Sequence, residues 1–137
     1  MRFMIMVRAN ALSESERSPD ADQAVMAAMA DYHEALAQAG VLLDGNGLQP
    51  SRSGWRIHYT QGKGRVIDGP FAESKELIAG YTLIQVNSRE EALEWSRRFP
   101  SPFGNDECEI EVRQLYELED FDSPDVERFR EIGIGRR

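Results

Sequence analysis

Three ionisable side chains, Asp68, Glu73 and Lys75, stand close together in the stretch Val66–Glu76. Asp68 has the chemistry of a general acid, a general base or a ligand acceptor. An Asp before Gly also caps its own turn, bonding a backbone N–H two residues on. Glu73 and Lys75 are two apart, so an extended segment puts both on one face. There they either polarise a bound substrate together or form a surface ion pair, worth about 0–1 kcal/mol. Phe71 is a ligand-stacking ring or a plug of apolar surface. His33 joins the set because histidine titrates near neutrality and this one borders an apolar helical stripe. It is a second acid–base candidate or a hydrogen-bonded helix histidine.

These residues need elements to hold them. Phe3–Val7 is apolar on both alternations, as in a central strand covered on both sides. Ser18-Pro19-Asp20 reads as a helix start, with the helix running to about Ala39 and Gly40 stopping it. Val25, Met29, Tyr32, Leu36 and Ala39 form its buried stripe. Val41–Leu43 is a short apolar run, and Asp44-Gly45-Asn46-Gly47 is rich in turn formers. Trp55–Thr60 alternates as a half-buried strand. Gln61–Gly64 links it as a four-residue turn to Arg65–Ile67. Asp68-Gly69-Pro70 breaks the ladder, and Gly80–Val86 is a second two-sided strand.

Ser88 with Glu91 is a capping box for a helix that buries Ala92, Trp95 and Phe99 and stops before Pro100. In Glu109–Leu115, Ile110 and Val112 alternate with Glu109, Glu111 and Arg113. Ser123-Pro124-Asp125 starts a short C-terminal helix with Val126 and Phe129 inside. The order is two β-α-β units with an inserted hairpin. That is a ferredoxin-like α+β fold, βαββαβ, with both helices on one sheet face. The other face is free, and a second copy is its simplest cover, so a homodimer follows. Glu111 and Arg113 then point into the space between subunits, as a substrate clamp or an interfacial ion pair.

The 137 residues fit one domain. A net charge of −8 argues against direct nucleic-acid binding. The single cysteine, Cys108, excludes an intrachain disulfide and reads as a half-buried residue. Two His and scattered acids give no metal-binding spacing, and no Gly-rich phosphate loop is present. No metal or cofactor is called for. No stretch approaches a membrane span, and the apolar N-terminus is too short for a signal sequence. The expected compartment is cytoplasmic.

Asp68-Gly69-Pro70-Phe71, then Ala72–Glu76 and Gly80-Tyr81, resembles the signature of the DGPF branch of the YCII-related family. Ala92-Leu93-Glu94-Trp95 before Pro100, Glu111-Val112-Arg113, Tyr32 with Gly40, and Leu48-Gln49-Pro50 are similar to its other landmarks. The resemblance spans roughly residues 1–117, leaving 118–137 as an extension with a short helix. It implies a dimeric α+β barrel. It implies little about reaction: most members have no established activity, though one relative is a dehydrochlorinase acting on a chlorinated hydroxyquinol. Some relatives carry a His/Asp pair proposed as an active site. Their His lies earlier on the first helix, where this chain has Val25, Met26 and Met29, so that dyad is not carried over.

Two functions follow. One is a small-molecule site in the dimer barrel, serving a cofactor-free lyase, isomerase or oxygenase-like reaction. Its pocket is expected to be lined by Phe71, Tyr81, Glu111 and Arg113, with Asp68 and His33 as catalytic groups and Glu73 and Lys75 as ligand contacts. The other is a regulatory module working with an extracytoplasmic-function sigma factor, beside whose genes DGPF members are often encoded. That reading predicts an exposed apolar patch near the C-terminal helix.

Overall fold

A computed structural model describes residues 1–15, 22–73 and 76–135. The elements run β1 (Arg2–Arg8), α1 (Gln23–Gln38), β2 (Leu42–Gly47), β3 (Trp55–Thr60), β4 (Lys63–Asp68), β5 (Ile78–Gln85), α2 (Arg89–Arg97), β6 (Ile110–Gln114) and α3 (Val126–Glu131). Four strands form an antiparallel sheet in the order β2-β5-β1-β6, and β3-β4 stand apart as a two-stranded ribbon. This is the ferredoxin-like α+β arrangement. The two strands whose residues are apolar on both faces, β1 and β5, are the two central ones. Each has a hydrogen-bonded neighbour along both of its edges.

The helices cover one face. Phe3, Ile5, Tyr32, Leu36, Val41, Ile84, Val86 and Ala92 form the core, with Trp95, Phe99, Ile110 and Val112 packed against it. Along β1, buried Phe3, Ile5 and Val7 alternate with half-buried Arg2, Met4, Met6 and Arg8. The second set lies on the sheet face that neither helix covers.

Local signals set the helix ends. The cap expected at Ser18–Asp20 lies outside the described residues; Asp22 is the N-cap, accepting from the Val25 N–H at 3.1 Å. At the other end Gly40 is left-handed, with φ +74°. The Gly40 N–H reaches Ala37 O, and the Val41 N–H reaches Leu36 O, each at 3.0 Å. That closes a Schellman motif and places Val41 on Leu36. Ala39, expected in the buried stripe, is exposed. In α2, Ser88 Oγ accepts from the Glu91 N–H, and Glu91 Oε2 accepts from the Asn87 N–H.

The Tyr32 hydroxyl donates to Trp95 O at 2.7 Å, tying α1 to α2. Burial pushes its pKa up from 10.0 to about 12, against a smaller opposing pull from Arg98. The folded protein therefore favours the neutral phenol, and the unfolded chain ionises first. Stability falls as pH rises from about 10 towards about 12. Tyr32→Phe should remove this alkaline loss and cost about 1 kcal/mol at neutral pH, the net worth of one hydrogen bond. Trp95 O keeps a second donor, the Arg98 N–H. Urea melts at pH 7 and pH 11 measure both effects.

Four expectations need correction. Asp44–Gly47 is strand, not turn, because as the outer strand it pairs only with β5. The β3-β4 link is two residues, not four: Thr60 pairs with Lys63, and Gln61 (φ +51°) and Gly62 (φ +79°) make a tight primed turn. The ribbon is exposed along its whole length, so Trp55, Ile57 and Tyr59 are not half-buried within one chain. At the C-terminus Phe129 is 48% exposed and is not inside.

Candidate functional site

On α1, Val25, Met29 and His33 follow one another at i, i+4, so they form one strip beside the buried Tyr32–Leu36 stripe. That strip faces the β2 and β5 side of the sheet. The two elements bound an open cleft of about 1110 Å³. Apolar walls come from Leu12, Val25, Met29, Leu48, Phe99 and Phe103, and polar groups from His33, Thr82, Asp22, Asp106 and Arg52. The cleft lies on the helix-bearing side of the sheet.

His33 is held by both ring nitrogens. Nδ1 lies 2.7 Å from Met29 O, and Nε2 lies 2.8 Å from Thr82 Oγ1. A carbonyl oxygen only accepts, so Nδ1 carries the proton and the neutral ring presents its lone pair at Nε2. The Thr82 hydroxyl then donates to Nε2. When the ring takes a proton, the same hydroxyl turns and accepts. His33 can therefore change protonation state without losing either contact or moving. Edge-on contacts with Tyr32 and Phe99, at 5.6 and 6.4 Å between ring centres, fix the ring plane.

Gly45 lies against the ring. It pairs with Thr82 across the sheet, and a Cβ there would lie 3.5 Å from His33 Cδ2 and Nε2. Thr82 was read in the sequence only as part of a two-sided strand. A signal was available: Thr82, Ile84 and Val86 alternate inward, and a hydroxyl that is 2% exposed needs a partner.

The other candidates are dispersed. Asp68 is exposed at the end of β4, paired with Trp55, and its carboxylate has no hydrogen bond or ion pair among the described residues. It does not cap its turn in the expected way, since the residue two on is Pro70, which has no N–H. The Gly69 N–H goes to Gly54 O, and the Phe71 N–H goes to Ser51 Oγ, each at 3.0 Å. Ser51 is in turn held by Glu14, whose carboxylate takes its N–H at 2.8 Å and its hydroxyl. The Gly69–Pro70 peptide is cis. Phe71 is half-buried under Arg56, whose guanidinium sits 3.8 Å from the ring centre. Glu73 is exposed, and Lys75 lies outside the described residues.

Tyr81 borders the cleft, but strand alternation sends its side chain to the face opposite Thr82. Its hydroxyl donates to Asp44 Oδ2 and accepts from Asn46 Nδ2, both at 3.0 Å. Glu111 and Arg113 share that uncovered face, 3.3 Å apart, and Arg8 meets Glu111 at 3.2 Å. His33 is thus brought into the cleft, while Asp68, Phe71, Glu111 and Arg113 are not. Tyr81, Glu111 and Arg113 lie together on the uncovered face, and the sheet separates their side chains from His33. Among the described residues no cluster of His, Cys, Asp or Glu could hold a metal ion, and no helix is long and apolar enough to cross a membrane.

A model of the YCII-related domain matches residues 1–119. An uncharacterized protein of Rhizobium meliloti strain 1021 is 34% identical over 80 residues, which is 58% of this chain and 64% of that protein. The match thus spans less than two thirds of the relative's length. Among solved structures, 5-chloro-2-hydroxyhydroquinone dehydrochlorinase of Burkholderia phenoliruptrix AC1100, in complex with 2,5-dihydroxybenzoquinone, is 14% identical. The likeness covers 89% of this chain and 100% of that one, with a TM-score of 0.46.

Proposed function

The chain belongs to the YCII-related domain family, and from that premise and the His33 cleft we propose a DGPF-branch protein that binds a small molecule beside His33 and moves a proton on it. The reading rests on one observation: His33 is held by Met29 O and Thr82 Oγ1 so that its ring stays in place whether neutral or charged. Thr82 Oγ1 occupies Nε2, so in this reading a proton passes between ligand and ring through that hydroxyl, which takes one from the ligand as it gives its own to Nε2. The apolar walls favour a ligand with a largely apolar body. The reaction is of lyase or isomerase type, in which one group takes a proton from one atom and returns it to another.

The protein acts as a homodimer in this reading, its uncovered sheet faces apposed. Half-buried Met4, Met6 and Leu83 on that face support it, and Tyr81, Glu111 and Arg113 would line the space between the sheets. Asp68, Phe71, Glu73 and Lys75 belong to the signature stretch; Asp68, Phe71 and Glu73 do not line the His33 cleft.

Ligand capture tests the cleft. The protein is equilibrated with a metabolite extract, and retained compounds are identified by mass spectrometry. Ala30 is exposed and borders the cleft, so Ala30→Trp should fill it and leave the core intact. A retained compound that Ala30→Trp releases supports the reading. Equal retention by both proteins, or no specific retention, overturns it. Stoichiometric recovery of a sigma factor with an empty cleft would replace it by the regulatory reading.

A further inference from the structure

Asp68, Phe71 and Glu73 do not line the His33 cleft, yet a chain of hydrogen bonds joins their stretch to its wall. The Phe71 N–H donates to Ser51 Oγ, and the Gly69 N–H to Gly54 O, each at 3.0 Å. Gly69 lies against the Ser51 carbonyl, too close for any side chain. Within the turn, the Ser53 N–H reaches Pro50 O and the Gly54 N–H reaches Ser51 O, each at 2.9 Å. The signature therefore fixes where Ser51 stands.

From Ser51 the bonds pass to Glu14. One carboxylate oxygen accepts the Ser51 N–H at 2.8 Å, and the other accepts the Ser51 hydroxyl. That hydroxyl donates to Glu14 while it accepts from Phe71, so a single oxygen serves both. Glu14 is half-buried and forms no ion pair among the described residues. Its charge strengthens both bonds to Ser51.

Glu14 belongs to a turn, residues 10–15, that is knit together. Asn10 Oδ1 accepts the Ser13 N–H at 3.0 Å, Ser13 Oγ accepts the Asn10 N–H at 2.9 Å, and Ser15 Oγ donates to Leu12 O at 2.7 Å. At its near end the Ala9 N–H is fixed to Leu77 O at 2.9 Å. Leu12, Ser13 and Ser15 line the cleft, and so do Pro50 and Arg52 on either side of Ser51. Glu14 and Ser51 do not. Their bond lies behind the wall and joins two of its segments.

We propose that Glu14 is a positioning residue of the cleft: it bolts the turn at 10–15 to the turn at 51–53, so that Leu12 stands against the apolar body of the ligand. The signature anchors that bolt through Ser51. The role rests on the His33 cleft holding a ligand, and Glu14 acts on the wall, not on His33. Without the carboxylate, the turn at 10–15 swings as one piece from Ala9 and the wall opens. The signature thus serves binding while Asp68, Phe71 and Glu73 stay out of the cleft.

Binding of N-phenyl-1-naphthylamine, a neutral apolar dye that fluoresces when bound, tests this in the full chain. Glu14→Ala and Ser51→Ala should each weaken it about tenfold, the worth of one charge-assisted hydrogen bond. The double variant should lose much less than the product of the two, because the residues act as a unit. Glu14→Gln keeps an acceptor for the Ser51 N–H and should restore most of the affinity. Glu91→Ala removes a carboxylate-to-backbone bond at the start of α2, outside the cleft. It should lower the melting temperature and leave dye affinity unchanged, which separates positioning from general loosening. Ala30→Trp decides the premise. Dye binding that Ala30→Trp leaves unchanged overturns the cleft reading, and this role with it. Dye binding that Ala30→Trp abolishes, but that Glu14→Ala and Ser51→Ala leave at the wild-type level, overturns the Glu14 role alone. So would an equal loss in Glu91→Ala.

Discussion

Alanine at position 69 destabilises the protein by about 3 kcal/mol or more, at the upper end of what overpacking costs. A Cβ on Gly69 would lie 1.9 Å from Ser51 O and 2.7 Å from the Ser51 carbonyl carbon. Both are backbone atoms, so no side chain can swing aside. Ser51 cannot retreat either: Glu14 grips its N–H and hydroxyl, and the Phe71 N–H reaches back to the same oxygen. Relief needs the turn at 51–53 to part from the signature. Gly47→Ala is the control, because nothing lies within 4 Å of its added carbon. Chemical denaturation of the two variants checks the contrast, and equal midpoints would refute it. This result would make Gly69-Pro70-Phe71 a brace between three loops.

His33→Gln lowers turnover of the captured ligand by about 10²- to 10⁴-fold, the usual worth of a positioned acid–base group. Ligand affinity should change little, because the apolar walls remain. The side-chain amide can still offer Thr82 a hydrogen bond, so the fold should survive. His33→Ala differs. It leaves the buried Thr82 hydroxyl without its partner and should cost about 1–3 kcal/mol of stability as well. Steady-state kinetics beside thermal melts of both variants separates the two effects. Full activity in His33→Gln would remove the acid–base role and leave a structural histidine.

Much of the fold is legible from residue order. Two-sided strands, a capping box and Gly40 after a helical stripe are local signals, and each is confined to a few consecutive residues. The misreadings are the places where a distant partner decides. Asp44-Gly45-Asn46-Gly47 has turn composition, and it becomes a strand because β5 offers an edge to pair with. Trp55, Ile57 and Tyr59 alternate as if half-buried, and within one chain nothing covers them.

The candidate site divides in the same way. Sequence by itself determined that His33 lies beside the apolar stripe of the first helix, and that Glu111 and Arg113 leave their strand on the side opposite Ile110 and Val112. Both follow from helix and strand periodicity, which depends on the backbone alone. Only the tertiary structure decided that His33 meets Thr82, 49 residues on, and that Asp68 does not line the cleft they share. Hydrogen bonds reach about 3 Å, so which groups share a proton depends on how the sheet registers against the helix. No spacing along the chain carries that distance.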